Sequence, residues 1–172
     1  PCRLADNPSY LTFGDSEKTV YSEGVFVGYR YYDAREMQVA FPFGYGLSYT
    51  TFAYSNLRLD RQEITDQETL TVSVDITNTG NVAGKEVVQL YIRDNTRACR
   101  RPDKELKGYE KVTLEPGETK TVTMMLDYRS FAWYNTDLKD WYAASGKYDV
   151  MVGTSSRQIC LSASVQINSS IR

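Results

Sequence analysis

Hydrophobic and polar residues alternate along much of the chain after residue 57. The clearest case is TLTVSVDITNTG, residues 69–80, where the apolar positions are Leu70, Val72, Val74 and Ile76. The residues between them are threonine, serine and aspartate. A period of two is typical of a strand that buries one face and exposes the other. We therefore predict a half-buried β-strand here.

The same alternation recurs in several other segments. They are GKEVVQLYIRD (84–94), ETKTVTMMLD (118–127), GKYDVMVG (146–153) and ICLSASVQI (159–167), with shorter candidates at 57–59 and 109–114. Turn-forming residues separate them, as in NTGN, EPGE and ASG. About seven strands at this spacing predict an all-β protein built as an antiparallel β-sandwich. No sustained helical pattern competes with this interpretation.

Residues 1–56 differ from the rest because they are rich in tyrosine, phenylalanine and glycine and alternate only briefly. The segment FPFGYGLSYTTF, residues 41–52, fits neither a regular helix nor an alternating strand. An arm of this kind cannot easily form a core of its own. Burying one large apolar side chain stabilises a protein by about 1.5–3 kcal/mol. We therefore expect an extended, aromatic-rich arm that packs against another surface.

Composition and charge argue against two classes of partner. The formal net charge is −2, and acidic and basic residues are interspersed, so the chain lacks the basic surface of a protein that binds nucleic acid or an anionic membrane. No apolar run approaches the ~20 residues that span a bilayer. We expect neither a nucleic acid nor a membrane as partner.

Cysteine and histidine content limits the chemistry that the chain can perform. The cysteines Cys2, Cys99 and Cys160 are far apart and odd in number, which argues against a disulfide framework and favours the cytoplasm over secretion. The chain contains no histidine. This excludes Ser-His and Cys-His catalytic arrangements and histidine metal sites. We predict no cofactor and no metal site.

Five ordered motifs resemble a known family. They are YSEGVFVGYRYYD (21–33), FPFGYGLSYTTFAYSNL (41–57), NTGNVAGKEVVQLYIRD (78–94), RPDKELKGYEKVTLEPGET (101–119) and SGKYDVMVGTSS (145–156). Together they resemble the C-terminal part of glycoside hydrolase family 3 enzymes, which include β-glucosidases and β-xylosidases. The resemblance implies an immunoglobulin-like, fibronectin type III-like sandwich for residues 57–172. It also implies that residues 1–56 are a linker that follows the second catalytic domain and docks on it.

The resemblance implies a function as well. Enzymes of this family hydrolyse terminal non-reducing β-linked sugars, typically β-D-glucosyl residues, with retention of configuration. Their aspartate nucleophile lies on an N-terminal barrel, and their acid/base carboxylate usually lies on the following α/β domain. We therefore expect no catalytic residue in this chain. Its expected role is to stabilise those two domains, with the β-linked oligosaccharide or glycoside substrate bound through them.

The arm is predicted to carry the contacts with the catalytic domain, and FPFGYGLSYTTF is predicted to clamp the sandwich to it. The predicted domain-interface residues are Tyr29, Arg30, Tyr31, Tyr32, Phe41, Phe43, Tyr45, Tyr49 and Phe52. Arg30 is expected to form a buried pair with Glu23 or Asp33 that fixes the arm. The alternative is that Glu23, Arg30 or a nearby tyrosine borders the sugar pocket of the intact enzyme.

A second aromatic set lies in SFAWYNTDLKDWYAASG, residues 130–146. If Trp133 and Trp141 are exposed, they form a platform that stacks on sugar rings, as in a carbohydrate-binding module. If they are buried, they fill the core or cover the end of the sandwich. A carbohydrate-binding module and a free-standing interaction module therefore remain as alternatives to the accessory domain.

Charged residues outside the arm are predicted to be solvated. The loop DNTRACRRPDKELKG, residues 94–108, carries a small basic patch formed by Arg97, Arg100, Arg101 and Lys104. We expect this patch either to be solvated or to dock on an acidic partner surface. The acidic residues predicted to be surface charges are Glu63, Asp66, Glu68, Glu115 and Glu118.

Overall fold

The strands of the computed structural model form two sheets, packed face to face, and one small hairpin. The structure describes residues 2–14 and 17–170. The strands are, in chain order, β1 (Phe52–Leu59), β2 (Glu63–Thr65), β3 (Leu70–Asn78), β4 (Gly84–Asp94), β5 (Glu105–Leu114), β6 (Thr119–Leu126), β7 (Trp133–Asn135), β8 (Asp140–Tyr142), β9 (Gly146–Ser155) and β10 (Gln158–Asn168). The helices are short, with 3-10 turns at Leu4–Asp6 and Tyr128–Ser130 and one α-helix, α1 (Tyr29–Ala34). The predicted all-β sandwich is confirmed. Residue 1 and residues 171–172, the outer ends of the two predicted regions, lie outside the described residues.

The strand order gives a smaller sheet of β1–β3–β6 and a larger sheet of β2–β10–β9–β4–β5, while β7 and β8 pair with each other. The predicted antiparallel pairing is found throughout the two sheets except between β2 and β10. There the three residues of β2 run parallel to the end of β10, with Ile64 opposite Ile167.

The inner faces of the two sheets meet in one apolar core, and they use the residues that the alternation selected. Leu70, Val72, Val74 and Ile76 of β3 are all completely buried. The larger sheet contributes to the same core Val88, Leu90, Ile92, Val150, Val152, Val165 and Ile167. The period of two along these strands therefore identifies the side chains that are buried on folding.

The strand predicted at residues 57–59 is longer than expected, since β1 begins at Phe52. Its pairing with β3 shifts register between Ser55 and Arg58, where Asn56 has a φ of 51°. A bulge of this kind interrupts the regular alternation of side chains. The sequence pattern therefore identified only the second part of the strand.

The arm, defined here as the described residues before β1, covers part of the outer face of the larger sheet. Gln89 and Tyr91 of β4 point away from the core, yet Tyr91 is completely buried and Gln89 nearly so. The ring of Tyr29 meets the Tyr91 ring edge to face at 6.3 Å. Gln89 Nε2 donates to the carbonyl oxygen of Gly44 at 3.0 Å. The arm thus adds a third layer to the two sheets.

Candidate docking surface

The first anchor of the arm joins α1 to the turn between β9 and β10. Arg157 Nε donates to Asp33 Oδ1 at 2.7 Å. Its Nη2 donates to the carbonyl oxygens of Tyr32, at 3.3 Å, and Met37, at 2.7 Å. The Asp33 side chain is almost wholly buried, whereas that of Arg157 is partly exposed. These charge-assisted hydrogen bonds fix the end of α1 on the turn.

The second anchor joins α1 to the edge strand β5. Arg30 Nη2 lies 3.2 Å from Glu105 Oε1. The expected pairing of Arg30 with Glu23 or Asp33 is therefore wrong. Asp33 is already engaged by the β9–β10 turn, and Glu23 accepts a hydrogen bond from Ser9 within the arm. Arg30 is therefore paired with a carboxylate that is far away in sequence.

Aromatic rings form the third anchor. Tyr29 stacks on Phe43 with ring centroids 4.5 Å apart and meets Tyr91 of the sheet with its edge. The Tyr29 hydroxyl accepts a hydrogen bond from the backbone N–H of Leu106 at 2.9 Å. Aromatic pairs of these geometries add about 0.5–1.5 kcal/mol beyond the area they bury. Tyr29 therefore links α1, the later part of the arm and the sheet.

The arm approaches the sheet closely at Gly44. Its φ is +80°, and a Cβ atom there would lie 2.0 Å from Gln89 Oε1. Besides the Gly44 carbonyl, Gln89 Nε2 binds the carbonyl oxygen of Thr154 at 2.7 Å. Next to this contact, the backbone N–H of Ser156 donates to the Phe43 carbonyl oxygen at 2.8 Å. Only glycine combines this backbone conformation with this distance to the sheet.

The end of the arm is fixed beside β3. Thr50 Oγ1 donates to Asn78 Oδ1 at 2.6 Å. The backbone N–H of Thr79 donates to the carbonyl oxygen of Thr51 at 2.8 Å. Residues 43–51 are therefore held by hydrogen bonds at both ends.

The arm carries several strongly exposed apolar side chains. Phe41 is 72% exposed, Leu47 89% exposed, and Tyr49 completely exposed. Earlier in the arm, other large apolar side chains are also exposed, namely Leu4, Leu11, Phe13, Tyr21, Val25 and Val27. Single exposed apolar residues are ordinary, but a concentration of them marks an interaction surface. We call Phe41, Leu47 and Tyr49 the exposed arm face.

An open groove of about 760 Å³ lies between the arm and strands β4 and β5. Tyr45 and Leu47 line it from the arm, and Val87 and Tyr109 line it from the sheet. All four side chains are exposed. We call this cavity the arm groove.

The structure divides the predicted interface residues other than Tyr31 into two groups. Those that contact the rest of the chain through their rings, charges or backbone are Tyr29, Arg30, Tyr32, Phe43 and Phe52. Those whose side chains are exposed and make none of these contacts with the sandwich are Phe41, Tyr45 and Tyr49. Tyr31 is half-buried on α1, with the Arg35 guanidinium 5.5 Å from its ring centroid. One group therefore holds the arm in place, and the other remains available to a partner.

Several residues of the sandwich that anchor the arm were not among the predicted sites, including Gln89, Glu105 and Arg157. Gln89 is the one that the sequence could have indicated, because it is a polar residue inside the apolar run VVQLYI. A buried amide needs hydrogen-bond partners. Glu105 and Arg157 lie in ordinary polar surroundings in the sequence and carry no comparable signal.

The tryptophan pair lies on the β7–β8 hairpin, with both side chains partly buried. Trp133 meets the Tyr142 ring edge to face at 5.0 Å, and Arg101 lies 5.9 Å from its ring centroid. Trp141 packs against the core, with the Arg129 guanidinium 4.0 Å from its ring centroid. A ring face covered by a guanidinium is not free to stack on a sugar. Sugar contact at Trp133 and Trp141 remains a prediction.

Arg101 is not a solvated cation as the basic-patch prediction supposed. Its side chain is only 8% exposed and lies between Asp94, 3.2 Å away, and Glu105. Burial by itself raises the pKa of Glu105, but the positive charges of Lys107, Arg101 and Arg30 outweigh it and hold that pKa below its ordinary value. Arg101 of this loop therefore belongs to an ionic cluster that also includes, through Glu105, the partly exposed Arg30 anchor of the arm.

Asp66 also differs from the prediction of solvated surface carboxylates. It is nearly buried and accepts hydrogen bonds from the backbone N–H and the hydroxyl of Ser170, at 3.1 and 2.9 Å. The reason is that β2 and the residues after β10 lie side by side, which the sequence pattern does not reveal.

Within residues 2–14 and 17–170, no group of three or more histidine, cysteine, aspartate or glutamate residues is arranged to hold a metal ion. No helix in these residues is long and apolar enough to cross a membrane.

Known proteins are similar to this chain in both sequence and fold. Residues 86–156 match the family described as fibronectin type III-like domain. The chain is 52% identical over 173 residues to the thermostable beta-glucosidase B of Acetivibrio thermocellus, and the match covers 100% of this chain and 23% of that protein.

Two solved structures extend the similarity to the arm. The GH3 beta-glucosidase of Bifidobacterium adolescentis is 42% identical with a TM-score of 0.91, over 97% of this chain and 24% of that one. The beta-glucosidase of Kluyveromyces marxianus in complex with glucose is 43% identical with a TM-score of 0.89, over 98% of this chain and 20% of that one. The chain thus spans only 20–24% of the length of these relatives.

Proposed function

We propose that this chain, which belongs to the fibronectin type III-like region of glycoside hydrolase family 3 enzymes, braces the catalytic domains of a longer glycosidase. Its homologues are parts of larger β-glucosidases, and the chain corresponds to an accessory domain of such an enzyme. The proposed activity of the whole enzyme is retaining hydrolysis of terminal non-reducing β-D-glucosyl residues. The catalytic carboxylates would then lie outside this chain.

The exposed arm face is the observation that carries this proposal. Phe41, Leu47 and Tyr49 are strongly exposed, while the backbone carbonyls of Phe43 and Gly44 between them are hydrogen-bonded to the sandwich. Burying each such side chain stabilises an assembly by about 1.5–3 kcal/mol. A segment that is rigidly held and apolar on its outer side fits a surface on which another domain rests.

Three carboxylates that the structure buries, Asp33, Asp94 and Glu105, support a structural role. Retaining glycosidases need two carboxyl groups about 5–5.5 Å apart that face the substrate. Here Asp33 is held by Arg157, while Asp94 and Glu105 are both held by Arg101. Acidic groups that are tied up in ion pairs stabilise the fold and are not free for proton transfer to a sugar.

The intact mass of the native polypeptide that contains this sequence tests the proposal. We expect a mass several times that of this chain, as in the relatives of which it covers 20–24%. Mass spectrometry of the native protein, captured through an antibody to the sandwich, gives the answer. A mass equal to that of this chain would contradict the proposal and favour a free-standing module.

A second test removes this region from the longer enzyme. We expect the truncated enzyme to melt at a lower temperature, because the surface that rests on the exposed arm face becomes solvated. Adding the chain back as a separate polypeptide should restore part of the lost melting temperature. An unchanged melting temperature after truncation would contradict a bracing role.

A further inference from the structure

We infer that the arm groove seats an apolar segment of the catalytic region of the same enzyme, with acidic side chains beside the apolar ones. This inference rests on the proposed function and adds to it the place and the chemistry of the contact.

The sheet wall of the groove is an outer sheet face that the fold leaves uncovered. Val87 pairs with Lys111 and Gln89 with Tyr109 across the β4–β5 ladder. These positions alternate with core residues such as Val88, which is completely buried. Val87 and Tyr109 are 37% and 68% exposed, although the following two outer positions on β4, Gln89 and Tyr91, lie under the arm and are only 4% and 0% exposed. The arm therefore stops covering the sheet where the groove begins.

The arm wall of the groove is already ordered before anything binds. The backbone on either side of Tyr45 and Leu47 is held by the Gly44 carbonyl, which accepts from Gln89, and by the Thr51 carbonyl, which accepts from the Thr79 N–H. Ordering a loop on binding costs free energy, so a preformed wall favours association. The two walls therefore present apolar side chains to each other across a gap of fixed geometry.

Charge selects the kind of segment that fits. Lys85 and Lys111 line the groove and are exposed. The other charged lining residue, Glu86, is half-buried and its Oε1 accepts a hydrogen bond from the Tyr54 hydroxyl at 2.9 Å. The exposed charge at the groove is therefore positive. Complementary charge favours acidic residues on the partner.

The length of the relatives favours a segment of the same enzyme as the occupant of the arm groove. The chain covers only 20–24% of them, so most of the enzyme lies outside it. The groove is continuous with the exposed arm face through Leu47, which belongs to both. A surface that rests on Tyr49 and Leu47 therefore reaches the groove without a gap.

An oligosaccharide fits the groove less well than a protein segment. Sugar recognition needs free hydrogen-bonding groups, and the Gln89 amide is fully engaged. Its Nε2 donates to the carbonyl oxygens of Gly44 and Thr154, and its Oε1 accepts from Tyr91. The exposed lining side chains include apolar or aromatic ones at Tyr45, Leu47, Val87 and Tyr109, cationic ones at Lys85 and Lys111, and neutral polar ones at Ser48, Thr51 and Gln158. Apolar and cationic groups together favour an apolar, acidic protein segment over a neutral sugar.

Hydroxyl-radical footprinting of this chain and of the longer enzyme tests the inference. We expect Tyr109 and Val87 to be oxidised several-fold more slowly in the longer enzyme. Met125, exposed on the outer face of the smaller sheet, is the internal control and should be oxidised equally in both. Tyr49 reports on the proposed function separately.

Each pattern of protection has one meaning. Protection of Tyr49 without Tyr109 overturns the groove inference and leaves the proposed function standing. Protection of neither overturns both. Protection of Tyr109 that appears only after a cello-oligosaccharide is added overturns the inference and assigns the groove to a sugar.

Two variants of the longer enzyme test the chemistry of the contact. Tyr109→Asp and Lys111→Glu should each lower its melting temperature, whereas Met125→Asp and Lys139→Glu, on exposed surfaces away from the groove, should not. In the chain alone all four variants should melt like the unchanged protein. Equal effects of Lys111→Glu and Lys139→Glu in the longer enzyme would overturn the acidic character of the occupant.

Discussion

The sandwich buries most of its large apolar side chains, whereas the arm leaves many of its own exposed. In the sandwich, residues such as Leu70 and Ile76 are completely buried within the chain itself. In the arm, Leu47 and Tyr49 are almost or completely exposed even though the backbone at Thr51 is fixed by a hydrogen bond from the Thr79 N–H. The difference shows that the sandwich folds on its own core. For the arm, the exposed side chains support the proposal that a surface outside this chain covers them.

The two regions also differ in how they are held together. The sandwich strands share long ladders of backbone hydrogen bonds, as between β9 and β10. The arm depends on a few side chains, chiefly Arg157, Glu105, Gln89 and Tyr29. Changes in the core should therefore unfold the whole molecule, whereas changes at an anchor should release the arm and leave the sandwich folded.

The largest effect is expected from a cavity in the core. Leu90→Ala should lower the free energy of unfolding by about 2–5 kcal/mol, because Leu90 is completely buried between the sheets. Val87→Ala, on the outer face of the same strand, should change it by about 0.5 kcal/mol or less. Urea unfolding of the chain measures both. Similar losses in the two variants would contradict the assignment of the faces.

The next effect should come from separating the arm from the sheet. Gly44→Ala strains a position with φ of +80° and places Cβ 2.0 Å from Gln89 Oε1, which we expect to cost about 1–3 kcal/mol. Gly46→Ala is the matched control, because no atom lies within 4 Å of its added Cβ. Limited proteolysis should cut the arm faster in Gly44→Ala alone, while the sandwich stays folded. Equal cleavage in both variants would contradict the anchor.

A smaller effect is expected for the α1 anchor. A double-mutant cycle of Arg157→Ala and Asp33→Ala should give a coupling energy of about 1–2 kcal/mol, reduced by the partial exposure of Arg157. Arg157→Lys should restore only part of it, since lysine cannot form the same fork of hydrogen bonds. Additive single effects would show that the pair does not hold the arm.

The pH dependence tests the second anchor. The folded-state pKa of Glu105 lies below its ordinary value of 4.5, so ionised Glu105 stabilises the fold above about that pH. This contribution is lost as the pH falls through the folded-state pKa. Glu105→Gln should therefore be less stable than the unchanged protein near neutral pH, with a smaller difference in acid. Urea unfolding midpoints of both proteins, measured from neutral to acidic pH, give this difference in stability. A difference that does not change with pH would contradict a stabilising role for the ion pairs of Glu105.

The smallest effect in the chain alone is expected at the exposed arm face. Tyr49→Ala should change the stability of this chain by no more than about 0.5 kcal/mol, because the side chain makes no buried contact. In the longer enzyme the same change should cost about 3–5 kcal/mol if the ring is fully buried there. Thermal melts of both proteins check this. No loss in either would contradict the docking role of Tyr49.

Sequence patterns predicted the parts of the fold that depend on neighbouring residues. Strands β3, β4, β6, β9 and β10 were found within two residues of their ends. β1 was found only in part, because the bulge at Asn56 breaks the alternation. The partner of Arg30 was predicted wrongly, since a charge finds its partner in space and sequence distance says little about it.

The sequence by itself determined which face of each strand is apolar, and it concentrated aromatic residues in the arm. Only the tertiary structure decided how the outer face of β4 is used, with Tyr91 covered by the arm and Val87 left open. The alternation of side chains is a property of each strand. Whether the second face is covered depends on a distant segment, and that segment is positioned by contacts such as Arg157 with Asp33.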